Sequence, residues 1–190
     1  MFFESIKIFD GRVYHLEYHQ QRVNRTLQHF KLPKLQLKDY IDPPQNGLYK
    51  LKFIYYDKMF TMQYTHYKPK IINSFGFVEC DKEYAYKYLK RDYIDNLNDG
   101  SVDEVILTKE GYITDTTIAN IAFYDGNRWL TPKIPLLQGS TRQRYIDNGL
   151  LHLADIKKSE IDNFQSIALM NAMIGFYELK EFTIKDENVL

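Results

Sequence analysis

The N-terminal part of the chain carries a strand period, then a helical period, then a strand period again. Residues 17–30 contain no proline or glycine, and Val23, Leu27 and Phe30 recur at helical spacing, so a helix is expected there. The turn dipeptide Asp10-Gly11 separates two runs ahead of that helix, which is typical of a β-hairpin. The strands expected in this part are residues 5–9, 12–15, 48–56 and 59–67.

A division of the chain is expected at Tyr67-Lys68-Pro69-Lys70, because proline donates no backbone hydrogen bond and restricts the residue before it. This places an N-terminal α+β subdomain over residues 1–68 and a β-rich subdomain over residues 69–190. The elements expected in the second part are strands over 75–78, 105–108, 118–124, 129–131 and 166–170, and helices over 88–96 and 139–148. Consecutive hairpins with interspersed helices indicate the α+β class.

Composition and charge narrow the class of protein. The chain has 190 residues, 25 of them basic and 25 acidic, with 44% hydrophobic residues, as in a folded globular protein. Zero net charge argues against nucleic acid as a partner, because neutralising phosphates requires an excess of Lys and Arg. No run approaches the roughly 18 apolar residues of a membrane span, and the charged start is unlike a signal peptide. With Cys80 as the single cysteine, we expect no disulfide, no metal site and a cytoplasmic location.

Two positions are candidates for binding an anion. Gly139-Ser140-Thr141 opens a predicted helix, where free backbone N–H groups and hydroxyls favour a phosphate. The alternative is that Ser140 or Thr141 only caps the helix. Arg22 and Arg25 lie three positions apart on the first predicted helix, where an arginine either forks onto a phosphate or carboxylate or is solvated.

Lys87 and Asp115 are the candidate reactive groups. Lys87 lies among tyrosines, where partial desolvation would lower the pKa of its amine and free it for Schiff-base chemistry. The alternative for Lys87 is a stem lying along apolar surface with the ammonium in water. Asp115 is flanked by threonines after a predicted strand, where its carboxylate either receives a charged N–H or organises a turn.

The order of these segments along the chain resembles that of the class IV (fold type IV) pyridoxal-phosphate enzymes, which share the D-amino-acid aminotransferase-like fold. The specific part of the resemblance is the run from Gly111 to Arg142. The matching segments are Glu17-Tyr18-His19-Gln20-Gln21-Arg22, Lys87-Tyr88-Leu89-Lys90-Arg91, residues 111–121, Trp129-Leu130-Thr131-Pro132 and Leu137-Gln138-Gly139-Ser140-Thr141-Arg142.

The resemblance implies a role for each matching position. Lys87 would hold pyridoxal 5'-phosphate (PLP) as an internal aldimine and then shuttle the α-proton. Arg22, Ser140 and Thr141 would bind the phosphate, and Asp115 would face the pyridine nitrogen. The family uses glutamate at the position of Asp115. Because the spacing from Lys87 to Asp115 is also shorter than usual, Lys82 or Lys90 is the alternative anchor.

The resemblance implies an enzyme that acts on a small amino substrate and forms a homodimer. Two branches of the family fit. Aminodeoxychorismate lyase releases pyruvate and 4-aminobenzoate, whereas aminotransferases for branched-chain or D-amino acids exchange an amino group with a 2-oxo acid. The segment Asn171-Ala172-Met173-Ile174-Gly175 is similar to the lyase type, so the lyase is preferred. A homologue that binds PLP or another phosphate compound without turnover is a further alternative.

Overall fold

The computed structural model describes residues 1–179 and 181–188, and its mixed helix and sheet content confirms the α+β class. The chain forms two compact units. Unit 1 contains Met1–Pro69 and Tyr86–Lys90, and unit 2 contains Lys70–Ala85 and the described residues from Arg91 onward. None of the described helices is long and apolar enough to cross a membrane.

Unit 1 is a four-stranded antiparallel sheet with a helix packed on one face. Its strands are β1 (Phe2–Phe9), β2 (Arg12–Val13), β3 (Leu48–Tyr56) and β4 (Met59–His66), in the order β2-β1-β3-β4, and its helices are α1 (Leu16–His29) and a 3-10 turn (Leu37–Asp39). Alternate residues of β1, such as Ile6 and Ile8, are buried against Val23 and Leu27 of α1. The helical prediction for 17–30 is confirmed, although Phe30 lies just past the helix end and is 37% exposed.

The segment Tyr86–Lys90 corrects one sequence prediction. A helix was expected over 88–96, but the helix α2 covers only Asp92–Asp95. Residues 86–90 lie along the part of β1 that β2 does not cover. There the Phe3 N–H donates to the Lys87 carbonyl at 3.0 Å, and the Leu89 N–H donates to the Met1 carbonyl at 3.1 Å. Because these bonds join residues distant in sequence, the local pattern does not reveal them. Because of these hydrogen bonds to β1, the segment belongs to unit 1, although it follows the expected division at residue 68.

Unit 2 contains two sheets and three short helices, one of them a 3-10 helix, among its described residues. One sheet has the order β13-β5-β6-β7 and the other β10-β9-β8-β11-β12. The bounds are β5 (Ser74–Glu79), β6 (Glu104–Lys109), β7 (Tyr112–Thr116), β8 (Asn120–Tyr124), β9 (Trp129–Pro132), α3 (Ser140–Asp147), β10 (Leu151–Ala154), a 3-10 helix (Lys158–Asn163), β11 (Ser166–Asn171), β12 (Gly175–Leu179) and β13 (Thr183–Asn188). Residues from both sheets, including Phe77, Ile106 and Phe123, form one apolar core.

Candidate active site

A buried ionic cluster joins β1 to α1 in unit 1. Glu4 is 0% exposed, although it shares its face of β1 with the apolar Ile6 and Ile8. Its Oε1 accepts a hydrogen bond from Arg22 Nε at 2.8 Å, its Oε2 accepts one from an Arg22 terminal nitrogen at 2.5 Å, and Oε2 also lies 2.6 Å from His19 Nδ1. The two-pronged contact fixes the plane of the Arg22 guanidinium.

The charges of this cluster depend on one another. Burial alone would raise the pKa of Glu4, but the Arg22 charge and the hydrogen bonds from His19 and Arg22 outweigh burial and lower it from 4.5 to about 2. Burial lowers the pKa of His19, and the Arg22 and Lys87 charges lower it further, against the raising effect of Glu4. Glu4 is therefore an anion near neutral pH, held by the Arg22 cation.

Lys87 lies half-buried on the edge segment of unit 1. Its Nζ is 4.6 Å from the centroid of the Phe3 ring, and its backbone carbonyl accepts the hydrogen bond from Phe3. Lys82 and Lys90, the alternative anchors, are both exposed. Because desolvation favours the neutral, nucleophilic form of an amine, this burial pattern favours Lys87 among the three.

Asp115 is a buried carboxylate of unit 2. It stands on β7 and is 3% exposed. Its Oδ1 accepts a hydrogen bond from Asn120 Nδ2 at 2.6 Å, and its Oδ2 accepts one from the Leu137 N–H at 2.8 Å. Burial raises the pKa of Asp115 to about 7, although these donors and the Arg142 charge act in the opposite direction. A cation beside this carboxylate would stabilise its ionised form.

The start of α3 lies next to Asp115 through Asn120. Gly139 is the N-cap residue, so the alternative that Ser140 or Thr141 caps this helix is wrong. A Cβ on Gly139 would lie 1.9 Å from Asn120 Oδ1, which means that the close approach of the two residues requires glycine. The N-cap residue makes no side-chain capping hydrogen bond, and Ser140 and Thr141 are both buried there. Free N–H groups beside two hydroxyls make a site suited to an anion.

The structure groups the five predicted site residues by unit. In unit 1, the Arg22 and Lys87 charges both act on His19. In unit 2, Asp115 and the helix start that carries Ser140 and Thr141 are joined through Asn120. Each group lies within one unit, and the roles assigned to the five residues remain predictions.

Sequence reasoning assigned no role to several residues that organise these groups. They are Glu4, His19, Asn120 and Arg142. Arg142 is 4% exposed and donates to Thr131 Oγ1 at 3.3 Å and to the Pro132 carbonyl at 2.7 Å. The available signal was Glu4 itself, because an acidic residue on the apolar side of an alternating strand requires a buried partner. The described residues contain no group of three or more His, Cys, Asp or Glu side chains able to hold a metal ion.

Comparison with known proteins identifies the family. The model of the class IV aminotransferases (Amino-transferase class IV) matches residues 93–182, which include Asp115, Ser140 and Thr141. An "Uncharacterized protein" from Haemophilus influenzae is 34% identical over 183 residues, 91% of this chain and 97% of that protein. A "Putative aminodeoxychorismate lyase" from Schizosaccharomyces pombe is 31% identical over 75 residues, 37% of this chain and 32% of that protein.

A solved crystal structure is similar to this chain over almost the whole fold. A "putative 4-amino-4-deoxychorismate lyase" from Haemophilus somnus superposes with a TM-score of 0.85 and 29% identity, over 92% of this chain and 96% of that chain. The fold is that of the fold-type-IV PLP enzymes. The chain belongs to the class IV aminotransferase family, and this membership implies a PLP-dependent enzyme.

The residues present fit PLP. The start of α3, with its backbone N–H groups and buried hydroxyls, could bind the phosphate group of PLP. The amine of half-buried Lys87 could form a Schiff base with the aldehyde group of PLP. Asp115 is a buried carboxylate whose raised pKa reflects the lack of a sufficient cationic partner, which a protonated pyridine nitrogen would supply. Arg22 is buried and is held by Glu4 through two hydrogen bonds, which orient its guanidinium.

Proposed function

We propose that this protein is a PLP-dependent lyase that converts 4-amino-4-deoxychorismate to 4-aminobenzoate and pyruvate. The observation that carries the proposal is the similarity to the Haemophilus somnus protein, at 29% identity over 96% of that chain. That protein is described as a "putative 4-amino-4-deoxychorismate lyase". The Schizosaccharomyces pombe relative bears a similar description.

The lyase-type segment forms the turn between β11 and β12. Asn171 ends β11, and its Oδ1 accepts hydrogen bonds from the Met173 N–H at 2.9 Å and the Ile174 N–H at 3.1 Å. Its Nδ2 donates to the Ile118 carbonyl at 3.3 Å, three residues after Asp115 in the chain. Gly175 follows with a φ of +69°, a conformation that side chains rarely adopt. The Asn and Gly of this segment are therefore needed for a turn beside the strand that follows Asp115.

We propose that Lys87 holds PLP covalently, that Arg22, Ser140 and Thr141 bind its phosphate, and that Asp115 keeps a proton on its ring nitrogen. In this arrangement Glu4 orients Arg22, and Asn120 orients Asp115. When bound, PLP withdraws electrons from the substrate carbon that bears the amino group.

Each residue then has one task in the reaction. Lys87 Nζ would take the proton from the substrate carbon that bears the amine. Breakage of the ring carbon–oxygen bond expels enolpyruvate, which takes up a proton to become pyruvate. The remaining ring becomes aromatic as 4-aminobenzoate. Asp115, in its ionised form, would hold a proton on the ring nitrogen of the cofactor, which would sustain the electron withdrawal.

The first test is reduction of the PLP-loaded protein with borohydride, followed by peptide mapping. We expect a visible band that borohydride bleaches and a reduced cofactor on Lys87. Lys87→Ala should abolish both and lower lyase activity by about 10²–10⁴-fold, the contribution of a positioned proton-transfer group. Lys90→Ala is the matched control, since Lys90 is an exposed lysine of the same segment. An adduct on Lys90 or Lys82 would contradict the assignment, and retained PLP binding by Lys87→Ala would support a binding role without turnover.

Product analysis tests the choice of reaction. Supplied with 4-amino-4-deoxychorismate, the protein should release 4-aminobenzoate and pyruvate in equal amounts. The second candidate function is an amino-acid aminotransferase, which the family description favours. Amino exchange between an amino acid and a 2-oxo acid, with no 4-aminobenzoate, would establish it and reject the lyase. Sedimentation of the same preparation tests the homodimer that the resemblance implies.

A further inference from the structure

One face of the unit 1 sheet is rich in lysine. The register pairs Phe3 with Ile54, Ser5 with Lys52 and Lys7 with Lys50, and directly paired residues point to the same side of a sheet. We call this side, which is opposite the side that packs on α1, the lysine face. Its central members are Phe3, Ser5, Lys7, Lys50, Lys52 and Ile54.

The charges on the two sides of the sheet are unequal. The sequences of β1 to β4 contain one acidic residue, Glu4, and it lies on the α1 side, where Arg22 neutralises it. The lysine face therefore has no carboxylate within these four strands. Among the described residues, the ion pairs include none of Lys7, Lys50 and Lys52. A net-neutral chain thus presents a local excess of positive charge.

Phe3 joins this surface to the predicted reactive lysine. Lys87 Nζ lies 4.6 Å from the centroid of the Phe3 ring, and Lys52 Nζ lies 5.1 Å from the same centroid. Lys52 is half-buried, so its ammonium is only partly screened by water. Lys50 and Lys7 are one pair further along the sheet, about 7 Å beyond Lys52 at the usual strand rise. Of the three lysines on the lysine face, Lys52 is therefore the nearest to the Phe3 ring that Lys87 contacts.

We propose that Lys52 binds a carboxylate of the substrate, and that the lysine face selects an amine with two carboxylates. The inference rests on the proposed function and goes further by naming a recognition residue. The ring carboxylate of 4-amino-4-deoxychorismate lies across a six-membered ring from its amino group, and the enolpyruvyl group carries the second. An amine that reacts at Lys87 would extend its carboxylate along the sheet from Phe3, where Lys52 lies. An amino acid with a neutral side chain has one carboxylate, which the excess charge serves less well.

Chorismate is a suitable probe, because it carries both carboxylates but no amino group and so reports recognition without reaction. Its dissociation constant is measured by titration calorimetry on the PLP-loaded full chain. Lys52→Met should weaken binding by about tenfold or more, the usual loss for a charged hydrogen bond. Lys52→Arg should restore most of it, and higher salt should weaken binding to the wild type more than to Lys52→Met. Lys50→Met, on the same strand and face but further from Phe3, is the matched comparison and should weaken chorismate binding less than Lys52→Met does.

The outcomes separate the inference from the proposed function. Equal chorismate binding by Lys52→Met and Lys50→Met, or a KM for 4-amino-4-deoxychorismate unchanged by Lys52→Met, would overturn the inference while 4-aminobenzoate production still supported the lyase. Lys52-dependent chorismate binding without 4-aminobenzoate production would reject the lyase and leave carboxylate recognition standing. The circular dichroism spectrum and the visible cofactor band of Lys52→Met should match those of the wild type, which shows that the fold and the Lys87 site are intact.

Discussion

Gly139→Ala tests the contact that joins the helix start to Asp115. The added Cβ would lie 1.9 Å from Asn120 Oδ1, whereas Cβ contacts below 3.0 Å essentially never occur, so one group must move by at least about 1 Å. Asn120 Nδ2 donates at 2.6 Å to Asp115 and at 2.8 Å to the Leu137 carbonyl, and a shift of this size breaks at least one of these bonds. Overpacking costs about 1–3 kcal/mol and a lost hydrogen bond about 1 kcal/mol. We expect Gly139→Ala to lower the free energy of unfolding by about 2–4 kcal/mol.

Urea denaturation followed by circular dichroism measures this loss. With a slope of about 2 kcal/mol/M, the midpoint should fall by about 1–2 M without a change in slope. A double-mutant cycle supplies the control, since in an Asn120→Ala background the clash is absent and Gly139→Ala should cost no more than about 1 kcal/mol, the preference of an N-cap for glycine over alanine. An equal cost in both backgrounds would refute the proposed contact between Gly139 and Asn120.

The remaining predictions concern the ionic cluster of unit 1 and the core of unit 2. Glu4→Gln should destabilise the protein by about 3–5 kcal/mol at pH 7, because it leaves the buried Arg22 charge without its partner. The pKa of Glu4 is lowered from 4.5 to about 2, so its ionised carboxylate stabilises the fold fully above pH 4.5 and less as the pH falls towards 2. The Glu4→Gln variant should therefore lack this part of the acid denaturation of the wild type. An unchanged acid limb would exclude Glu4 as its origin. Phe123→Ala should cost about 3–5 kcal/mol in urea denaturation, because Phe123 is fully buried, whereas Tyr177→Ala, at 56% exposure, should cost less than about 1 kcal/mol.

Local patterns predicted the elements that bury one regular face or stripe of side chains. The helix expected over 17–30 is α1, and the strand expected over 48–56 is β3, because each pattern is set by burial of one face or stripe. The helix predicted over 88–96 forms only at Asp92–Asp95, and the backbone of residues 86–90 is hydrogen-bonded to the edge of β1 instead. Pairing between distant residues decides such a segment, and its own sequence does not encode it.

The same distinction applies to the candidate site. The helix start at Ser140 and Thr141 was predicted from its local residue types, and α3 begins there. The reason for Gly139 was not predictable, because it is a steric contact with Asn120 on another strand. Glu4 and His19 were not assigned because their function depends on Arg22 being buried beside them, and a single sequence gives no measure of burial.

The edge segment Tyr86–Lys90 has a consequence for how this protein can be divided. A fragment that ends at Pro69 would leave the Phe3 N–H and the Met1 carbonyl without the partners that the segment provides. An uncovered strand edge of this kind recruits strands from other molecules, so such a fragment would tend to self-associate. The stretch that carries the predicted reactive lysine therefore also shields unit 1 from aggregation. Substitutions at Lys87 should accordingly spare the backbone, as Lys87→Ala does, and avoid proline.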